Sequence, residues 1–430
     1  MPVPASAALP GPTASPEAVR QAVEAVWRAE SGQLIATLAR LTGDLGAAED
    51  LAHDALVAAL ETWPATGIPH APGAWLTTTA RRRALDALRR APMLDRAHAE
   101  IARDHALPDP AAALHDALDD PVGDDLLRLV FATCHPALST EARVALTLRL
   151  LGGLTTDEIA RAFLTPVPTV AQRIVRAKKT LRDVGGAFEM PRAADLPARL
   201  ADVLRVVYLV FNEGYTATSG DGWARPGLCE DALRLGRVLA GLVPDEPEVH
   251  GLAALMEVQA SRLAARVGPE GEPVRLMDQD RTRWDALLVR RGLAALARGQ
   301  ALADGAPGPY LLQAAIAACH ARARSPQDTD WPRIAALYGA LHAAHPSPVV
   351  ELNRAVAVSF ADGPAAGLAI ADALVVAGVL DGYHLLDAVR GDLLERLGRA
   401  AEARAAFEAA AAVTRNAQER AILLGRAVAV

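Results

Sequence analysis

The chain has 430 residues and a formal net charge of −7, which argues against a protein that wraps nucleic acid over its whole surface but permits a local basic face. With 51% hydrophobic and 22% charged residues, it can bury the cores of two or three domains. Only 4% of the residues are aromatic, alanine is abundant, and runs rich in Val, Ile, Thr and Tyr are scarce, so we predict an all-α fold.

The N-terminal stretch MPVPASAALPGPTASPE has neither the basic nor the apolar segment of a signal peptide, and we expect residues 1–16 to form a disordered tail. No charge-free run approaches the roughly 20 residues that cross a bilayer, so we expect a cytoplasmic protein without membrane contact. Three scattered cysteines form neither a disulfide framework nor a metal site, and we expect no metal and no cofactor.

An acidic amphipathic helix is predicted for DLGAAEDLAHDALVAALETWP, residues 44–64. Leu51, Ala55 and Leu56 are expected to face inward. The carboxylates expected to face outward are Glu49, Asp50 and Asp54.

A basic helix is predicted for PGAWLTTTARRRALDALRRAP, residues 72–92, after a Pro/Gly-rich loop bounded by Trp63 and Trp75. Its apolar residues can supply a buried side, and its arginines crowd the rest of the surface: Arg81, Arg82, Arg83, Arg89 and Arg90. Residues 96–123 are acidic and rich in Pro and Ala, and we expect a flexible linker there.

A helix-turn-helix is predicted for LTTDEIARAFLTPVPTVAQRIVRAKKTLRD, residues 154–183. Thr155 and Glu158 form a capping box, which marks the start of the first helix. Prolines interrupt the pattern, so we expect a turn near 164–167 and a second helix to about Arg182.

The second of these helices is amphipathic. On a helical wheel its apolar residues fall within one arc that is expected to face the core: Val170, Ile174, Ala177 and Leu181. Gln and Arg on the opposite side can pair with base edges in a major groove, and Lys178, nearer the core flank, suits a phosphate. An ordinary helical hairpin with a solvated basic face remains an alternative. The predicted DNA-contacting residues are Thr169, Gln172, Arg173, Arg176, Lys178 and Lys179.

From about residue 195 to 430 the pattern is helix after helix. The stretch LLDAVRGDLLERLGRAAEARAAFEAAAAVTRN, residues 385–416, matches a tetratricopeptide repeat (TPR), and Gly363 and Gly398 stand about one repeat apart. We therefore predict a TPR-like helical array, whose concave surface suits a protein or peptide partner.

Several strings in this array are richer in aromatic and charged residues than helix packing requires. One reading is a pocket around a ligand or peptide, and the other is a buried polar network that fixes loops. No HExxH, GxSxG, P-loop or GxGxxG pattern is present, and we expect no catalytic residues. The candidate pocket residues are Glu213, Tyr215, Asp280, Arg281, Trp284, Tyr310 and His320.

These motifs, in this order, resemble the sigma-70 family of bacterial transcription initiation factors in its small extracytoplasmic-function form. AEDLAHDAL resembles the region-2 helix that docks on RNA polymerase, which implies that role for Glu49, Asp50 and Asp54. LTTDEIARAFLTPVPTVAQRIVRAKKTLR resembles region 4, which reads the −35 promoter element. AWLTTTARRRALDALRR resembles the helix that reads the −10 element, and the implied set is Trp75, Arg81, Arg82, Arg83, Arg89 and Arg90.

The resemblance covers about the first 185 residues and implies sigma region 2 at 17–95 and region 4 at 124–186. His53 stands where many members have Gln, and Leu164 stands at the usual turn glycine. The C-terminal strings are similar to those of a subgroup with a long helical extension.

The resemblance implies a sigma factor that binds core RNA polymerase and promoter DNA and has no enzymatic activity. The extension is expected to pack against region 2, region 4 or both, and to modulate activity. The alternative is a helical scaffold whose basic N-terminal helices bind a protein or a polyanion.

Overall fold

The computed structural model describes residues 15–98, 122–163, 165–185, 188–215, 226–268, 274–414 and 417–430. Most of the predicted N-terminal tail, most of the predicted linker, and Leu164 lie outside these ranges. Every main element of the described ranges is a helix, which confirms the all-α prediction.

The α-helices follow in chain order, with short 3₁₀ turns at 263–265, 276–278, 281–283 and 326–328. They are α1 (Pro16–Thr42), α2 (Leu45–Thr66), α3 (Pro72–His98), α4 (Val122–Thr133), α5 (Thr140–Leu150), α6 (Thr156–Ala162), α7 (Val167–Val184), α8 (Leu196–Tyr215), α9 (Pro226–Leu242), α10 (Pro247–Ala260), α11 (Ala286–Leu302), α12 (Pro309–Arg322), α13 (Trp331–Ala344), α14 (Pro348–Ala361), α15 (Pro364–Ala377), α16 (His384–Arg396), α17 (Ala400–Val413) and α18 (Ala417–Ala429).

The chain divides into two compact units, Met1–Val206 and Val207–Val430, and the boundary falls inside α8. Both predicted sigma regions lie in the first unit, where α1 packs against α2, α3 and α4. The second unit contains the helices of the predicted array.

The inner face of α2 is built from alanine. Leu51 and Leu56, which were predicted to face inward, are only half-buried, whereas Ala55 is buried as predicted. Small side chains let two helices approach closely, and the i, i+4, i+7 spacing keeps them on one face. The buried alanines of this face are Ala48, Ala52, Ala55 and Ala59.

The predicted helix-turn-helix is present as α6 and α7. Thr155 and Glu158 form the capping box, and α7 extends two residues past the predicted end, to Val184. The predicted apolar arc is buried in full: Val170, Ile174, Ala177 and Leu181.

The second unit is an array in which most consecutive helices pack against each other. Gly398, in the predicted repeat, adopts φ +71° between α16 and α17, a conformation that favours glycine. Phe407 of α17 is fully buried against Gly391 of α16, where an added Cβ would lie only 2.6 Å from the ring. This close crossing explains why the repeat needs a small residue at that position.

Candidate nucleic-acid interface

The outer face of α7 carries the residues that the sequence predicts to contact DNA. Thr169, Gln172, Arg176 and Lys179 are exposed, and Arg173 is half-buried. A groove of about 320 Å³ runs between this face and α5, and four of these five side chains line it. Neither Arg176 nor Lys179 makes an ion pair with a described residue, so both cations are available to a polyanion.

The flank of α7 is occupied differently. Lys178 Nζ donates to Glu49 Oε2, and Arg182 Nε donates to Asp44 Oδ2, so two cations of α7 meet carboxylates at or near the start of α2. The ammonium of Lys178, predicted to contact a phosphate, is therefore engaged within the protein. Arg182, in contrast, keeps a side chain that is 61% exposed.

Glu49 was predicted to face outward, and this prediction is wrong for the structure described here. The residue is only 3% exposed, because it lies next to the alanine face of α2 and points at α5 and α7. Arg149 Nε donates to Glu49 Oε1 at 2.6 Å, while Lys178 binds the other oxygen. We call Glu49, Arg149 and Lys178 the Glu49 cluster.

The Glu49 cluster holds its carboxylate in the charged form. Burial by itself raises the pKa of Glu49, but the charges and hydrogen bonds of Arg149 and Lys178 together outweigh burial, so the pKa lies below its usual value. His53, whose Nε2 lies 3.3 Å from the Arg149 guanidinium, has a lowered pKa mainly because it is partly buried. One buried anion thus serves two cations from different helices.

Other contacts join the same two parts of the first unit. Trp27 Nε1 donates to the Gly153 carbonyl at 3.0 Å, and Arg28 pairs with Glu158. Gly153 has φ +71°, and an added Cβ would lie 2.8 Å from Ser31 Oγ, so this close approach requires glycine. We call this packing of α1 and α2 against α5, α6 and α7 the closed arrangement.

The basic helix α3 presents a mixed surface. Arg82 is exposed and Arg81 half-buried, while Arg83 Nη1 lies 3.6 Å from Asp54 Oδ2. Trp75 is half-buried, with its ring edge-on to Trp63 at 5.4 Å between centroids. The side chains of Arg89 and Arg90 lie outside the described residues.

Asp50 and Asp54 of α2 are exposed, as predicted.

The candidate pocket residues of the second unit do not all converge. Arg281, Trp284 and His320 come together: Arg281 lies 5.1 Å from the Trp284 ring centroid and donates to the His320 carbonyl at 2.6 Å. Asp280 is exposed and accepts a hydrogen bond from the Thr282 backbone amide at 2.9 Å. Tyr310 packs edge-on against Tyr208.

Two half-buried arginines, Arg262 and Arg281, lie near the buried His320. Its pKa is lowered to about 4, first by burial and then by Arg262 and Arg281. Arg262 also donates to the Tyr215 hydroxyl at 2.7 Å, which brings that predicted residue to the same cluster. Glu213 is buried on α8. Because Arg281 also donates to the Ala323 carbonyl, this cluster holds the end of α12.

Sequence reasoning missed Arg149 and Arg262, the residues on which these two clusters depend. Arg149 pairs with a carboxylate 100 positions away, and no local spacing signals such a contact. Arg262 lies 47 positions from Tyr215. An arginine inside an apolar helical stretch is the only available signal, and it does not identify the partner.

Three family profiles match the chain. "Sigma-70 region 2" matches residues 26–92, "Sigma-70, region 4" matches residues 128–181, and "Family of unknown function (DUF6596)" matches residues 199–300. Within the described ranges, no helix combines the length and apolar character needed to cross a membrane.

Two kinds of relative are found among curated proteins. "Uncharacterized protein R00370" of Rhizobium meliloti is 43% identical over 401 residues, which cover 91% of this chain and 92% of that protein. "Probable ECF RNA polymerase sigma factor SigI" of Mycobacterium tuberculosis is 29% identical over 161 residues, which cover 37% of this chain and 54% of that protein. No solved structure matches.

Proposed function

Because the chain belongs to the sigma-70 family, as an extracytoplasmic-function type with a C-terminal extension, we propose that its promoter-reading regions are closed on each other until core RNA polymerase separates them. The protein is a sigma factor that directs transcription initiation. Sigma factor families are not enzymes, and we propose that this chain has no enzymatic activity and acts in the cytoplasm, beside polymerase and DNA.

Two helices read the promoter in this proposal. The exposed face of α7, with Arg176 and Gln172 at its centre, reads base edges of the −35 element, and α3 with its arginines reads the −10 element. Asp50 and Asp54 of α2 bind basic groups of polymerase, since both carboxylates are exposed on one face.

The Glu49 cluster is the observation that supports a closed form. It ties α2, the proposed polymerase-docking helix, to α7, the proposed −35 reader. Lys178 and Arg182 then have carboxylate partners in place of phosphates. Polymerase and α7 would therefore bind neighbouring carboxylates of the same helix of region 2.

The distance between the two promoter elements requires the regions to separate. The −10 and −35 elements lie about 25 base pairs apart, which is about 85 Å at 3.4 Å per base pair. A compact unit of about 200 residues has a radius of gyration of about 17 Å and is about 43 Å across. Such a unit cannot reach both elements at once, so the closed arrangement must open on the promoter.

We propose further that residues 195–430 bias this opening. The joint after α7 contains Gly185, Pro191 and Pro197, which favour a hinge, and a tether of this kind keeps the extension at high effective concentration. Removing the chain beyond Met190 is expected to lower promoter-specific transcription. Equal transcription by full-length and shortened protein would exclude this role.

A reversible crosslink tests the closed form directly. In a Cys319→Ser background, Asp44→Cys and Arg182→Cys are joined by a thiol-cleavable bismaleimide, because these side chains meet across the closed arrangement. Run-off transcription with core polymerase is expected to be lost on crosslinking and restored on cleavage. The matched control carries Asp44→Cys alone and receives the same treatment.

Two other outcomes would decide against the proposal. Full promoter-specific transcription by the crosslinked protein would show that the regions need not separate. No transcript from any species, including the uncrosslinked control, would favour a scaffold protein over a sigma factor.

A further inference from the structure

The second unit contains a cleft whose lining is rich in arginine. It has a volume of about 640 Å³ and lies between α11, α12 and α13 and the turn that joins α12 to α13. Ala315, Cys319 and Leu337 form its apolar floor. Three exposed arginines line its sides: Arg322, Arg324 and Arg333.

None of these three arginines makes an ion pair with another residue that the structure describes. Arg322 and Arg333 nonetheless come from different helices, α12 and α13, and both line the cleft together with Cys319 and Asp330. Guanidinium groups bind carboxylates and phosphates through paired hydrogen bonds, and a convergent pair is typical of acidic-motif recognition.

The two carboxylates of the cleft, Asp328 and Asp330, accept hydrogen bonds from backbone amides. Asp330 caps α13 by accepting from the Arg333 amide at 3.0 Å. Asp328 accepts from the Ser325 amide at 3.0 Å and from the Ser325 hydroxyl at 2.8 Å. These bonds orient the two carboxylates, and neither forms an ion pair with a cleft arginine among the described residues.

Arg281 forms hydrogen bonds to the turn that joins α12 to α13, next to the cleft. Arg281 Nη1 donates to the carbonyls of His320 and Ala323 at 2.6 Å each, and its other terminal nitrogen donates to Thr329 Oγ1 at 3.3 Å. A wall fixed in this way loses little freedom when a ligand binds, which favours affinity.

We propose that this cleft binds an acidic peptide, a chain segment in which at least two carboxylates meet Arg322 and Arg333. The cleft is open and polar, unlike the enclosed, mostly apolar pockets that hold small molecules. Asp328 and Asp330 limit the net charge of the lining to +1, which suits separate carboxylates better than the continuous charge of a nucleic acid. The concave side of a helical array is suited to such a segment.

Fluorescence anisotropy with the full-length protein and fluorescein-labelled hexaglutamate tests the proposal. Saturable binding is expected, weakened at least about tenfold in the double variant Arg322→Ala, Arg333→Ala, because the convergent charge–carboxylate bonds are removed. The matched control, Arg290→Ala with Arg291→Ala, removes two exposed arginines of α11 outside the cleft and is expected to stay within about twofold. Thermal unfolding checks that both variants are folded.

Three results would overturn the assignment. The first is the absence of saturable binding, and the second is an equal loss in the cleft variant and its control. The third is displacement of the peptide by a single-stranded oligonucleotide or by inorganic phosphate, at matched ionic strength, more readily than by unlabelled hexaglutamate. A failure of this kind leaves promoter-specific transcription, and the closed form, untouched.

Discussion

Cations are arranged differently in two clusters, one from each compact unit. In the first unit, cations of α5 and α7 meet carboxylates of region 2 across a helix interface, as Lys178 and Arg149 do at Glu49. In the second, Arg262 and Arg281 surround a neutral histidine, and Arg322 and Arg333 line a cleft without an ion pair to any described residue.

The difference indicates two uses of arginine and lysine. A cation that is paired inside the protein must give up its partner before it can bind another anion. The free energy of the ion pair therefore opposes opening of the closed arrangement. An exposed cation without a carboxylate partner can bind an anionic ligand without first breaking an internal ion pair. The paired set therefore suits a switch, and the unpaired set suits a binding site.

The largest effect is expected from the buried carboxylate of the first unit. Glu49→Ala leaves the half-buried Arg149 and Lys178 without their anion, which should destabilise the closed arrangement by about 3 kcal/mol. Hydrogen exchange at α2 and α7, with thermal unfolding of the full chain, measures the loss. Asp50→Ala, an exposed neighbour, should stay within about 0.5 kcal/mol. Similar losses in both variants would remove the distinction between paired and exposed carboxylates.

The cluster around His320 should give the second unit a pH-dependent stability. The pKa of His320 is about 4 in the folded chain against 6.5 for the ordinary side chain, so the unfolded state takes up the proton first. The contribution of His320 to the free energy of unfolding is therefore complete above pH 6.5. About 3 kcal/mol of it is lost as the pH falls to 4.

His320→Gln isolates this contribution from the other groups that titrate in the same range. His53 and His135 also have lowered pKa values, whereas the contribution of Glu49 is lost only below about pH 4.5, since its pKa is depressed. Chemical denaturation between pH 7 and 4.5 should therefore show a weaker pH dependence in His320→Gln. An unchanged pH profile would mean that burial and the neighbouring arginines do not hold His320 neutral.

A smaller effect is expected on the exposed face of α7. Arg176→Ala should reduce discrimination at one position of the −35 element by about 1–3 kcal/mol, because a paired contact to a base edge is lost. Binding to a promoter library in core-polymerase complexes measures the preference. Arg192→Ala, outside α7, removes the same charge and should leave the preference unchanged. A uniform loss across the library would assign Arg176 to phosphate contact.

The smallest effect is expected from the exposed pair between Arg182 and Asp44. Arg182→Ala should reduce the protection of backbone amides against hydrogen exchange at the start of α2. The reduction should be smaller than in Glu49→Ala, because water and salt screen an exposed guanidinium. The difference between variant and wild type, measured by hydrogen exchange, should vanish as salt is raised. An effect that persists at high salt would mean that this pair belongs to the buried part of the interface.

Local patterns in the sequence predicted much of the helical framework. The capping box at Thr155 and Glu158, the buried arc of α7 and the glycine at 398 were all visible, because each depends on residues within one or two turns of helix. The family resemblance also followed from local motifs and their order. The inner face of α2 was harder to predict, since alanine is compatible with either side of a helix.

The exposed carboxylates Asp50 and Asp54 and the outer face of α7 could be assigned from helical spacing alone. The burial of Glu49 could not, because it depends on Arg149 and Lys178 arriving from about 100 or more positions away. The same holds for the cleft at Arg322 and the cations around His320. Side-chain periodicity is a local property that the sequence determines, whereas the pairing of buried charges is decided only when distant helices pack together.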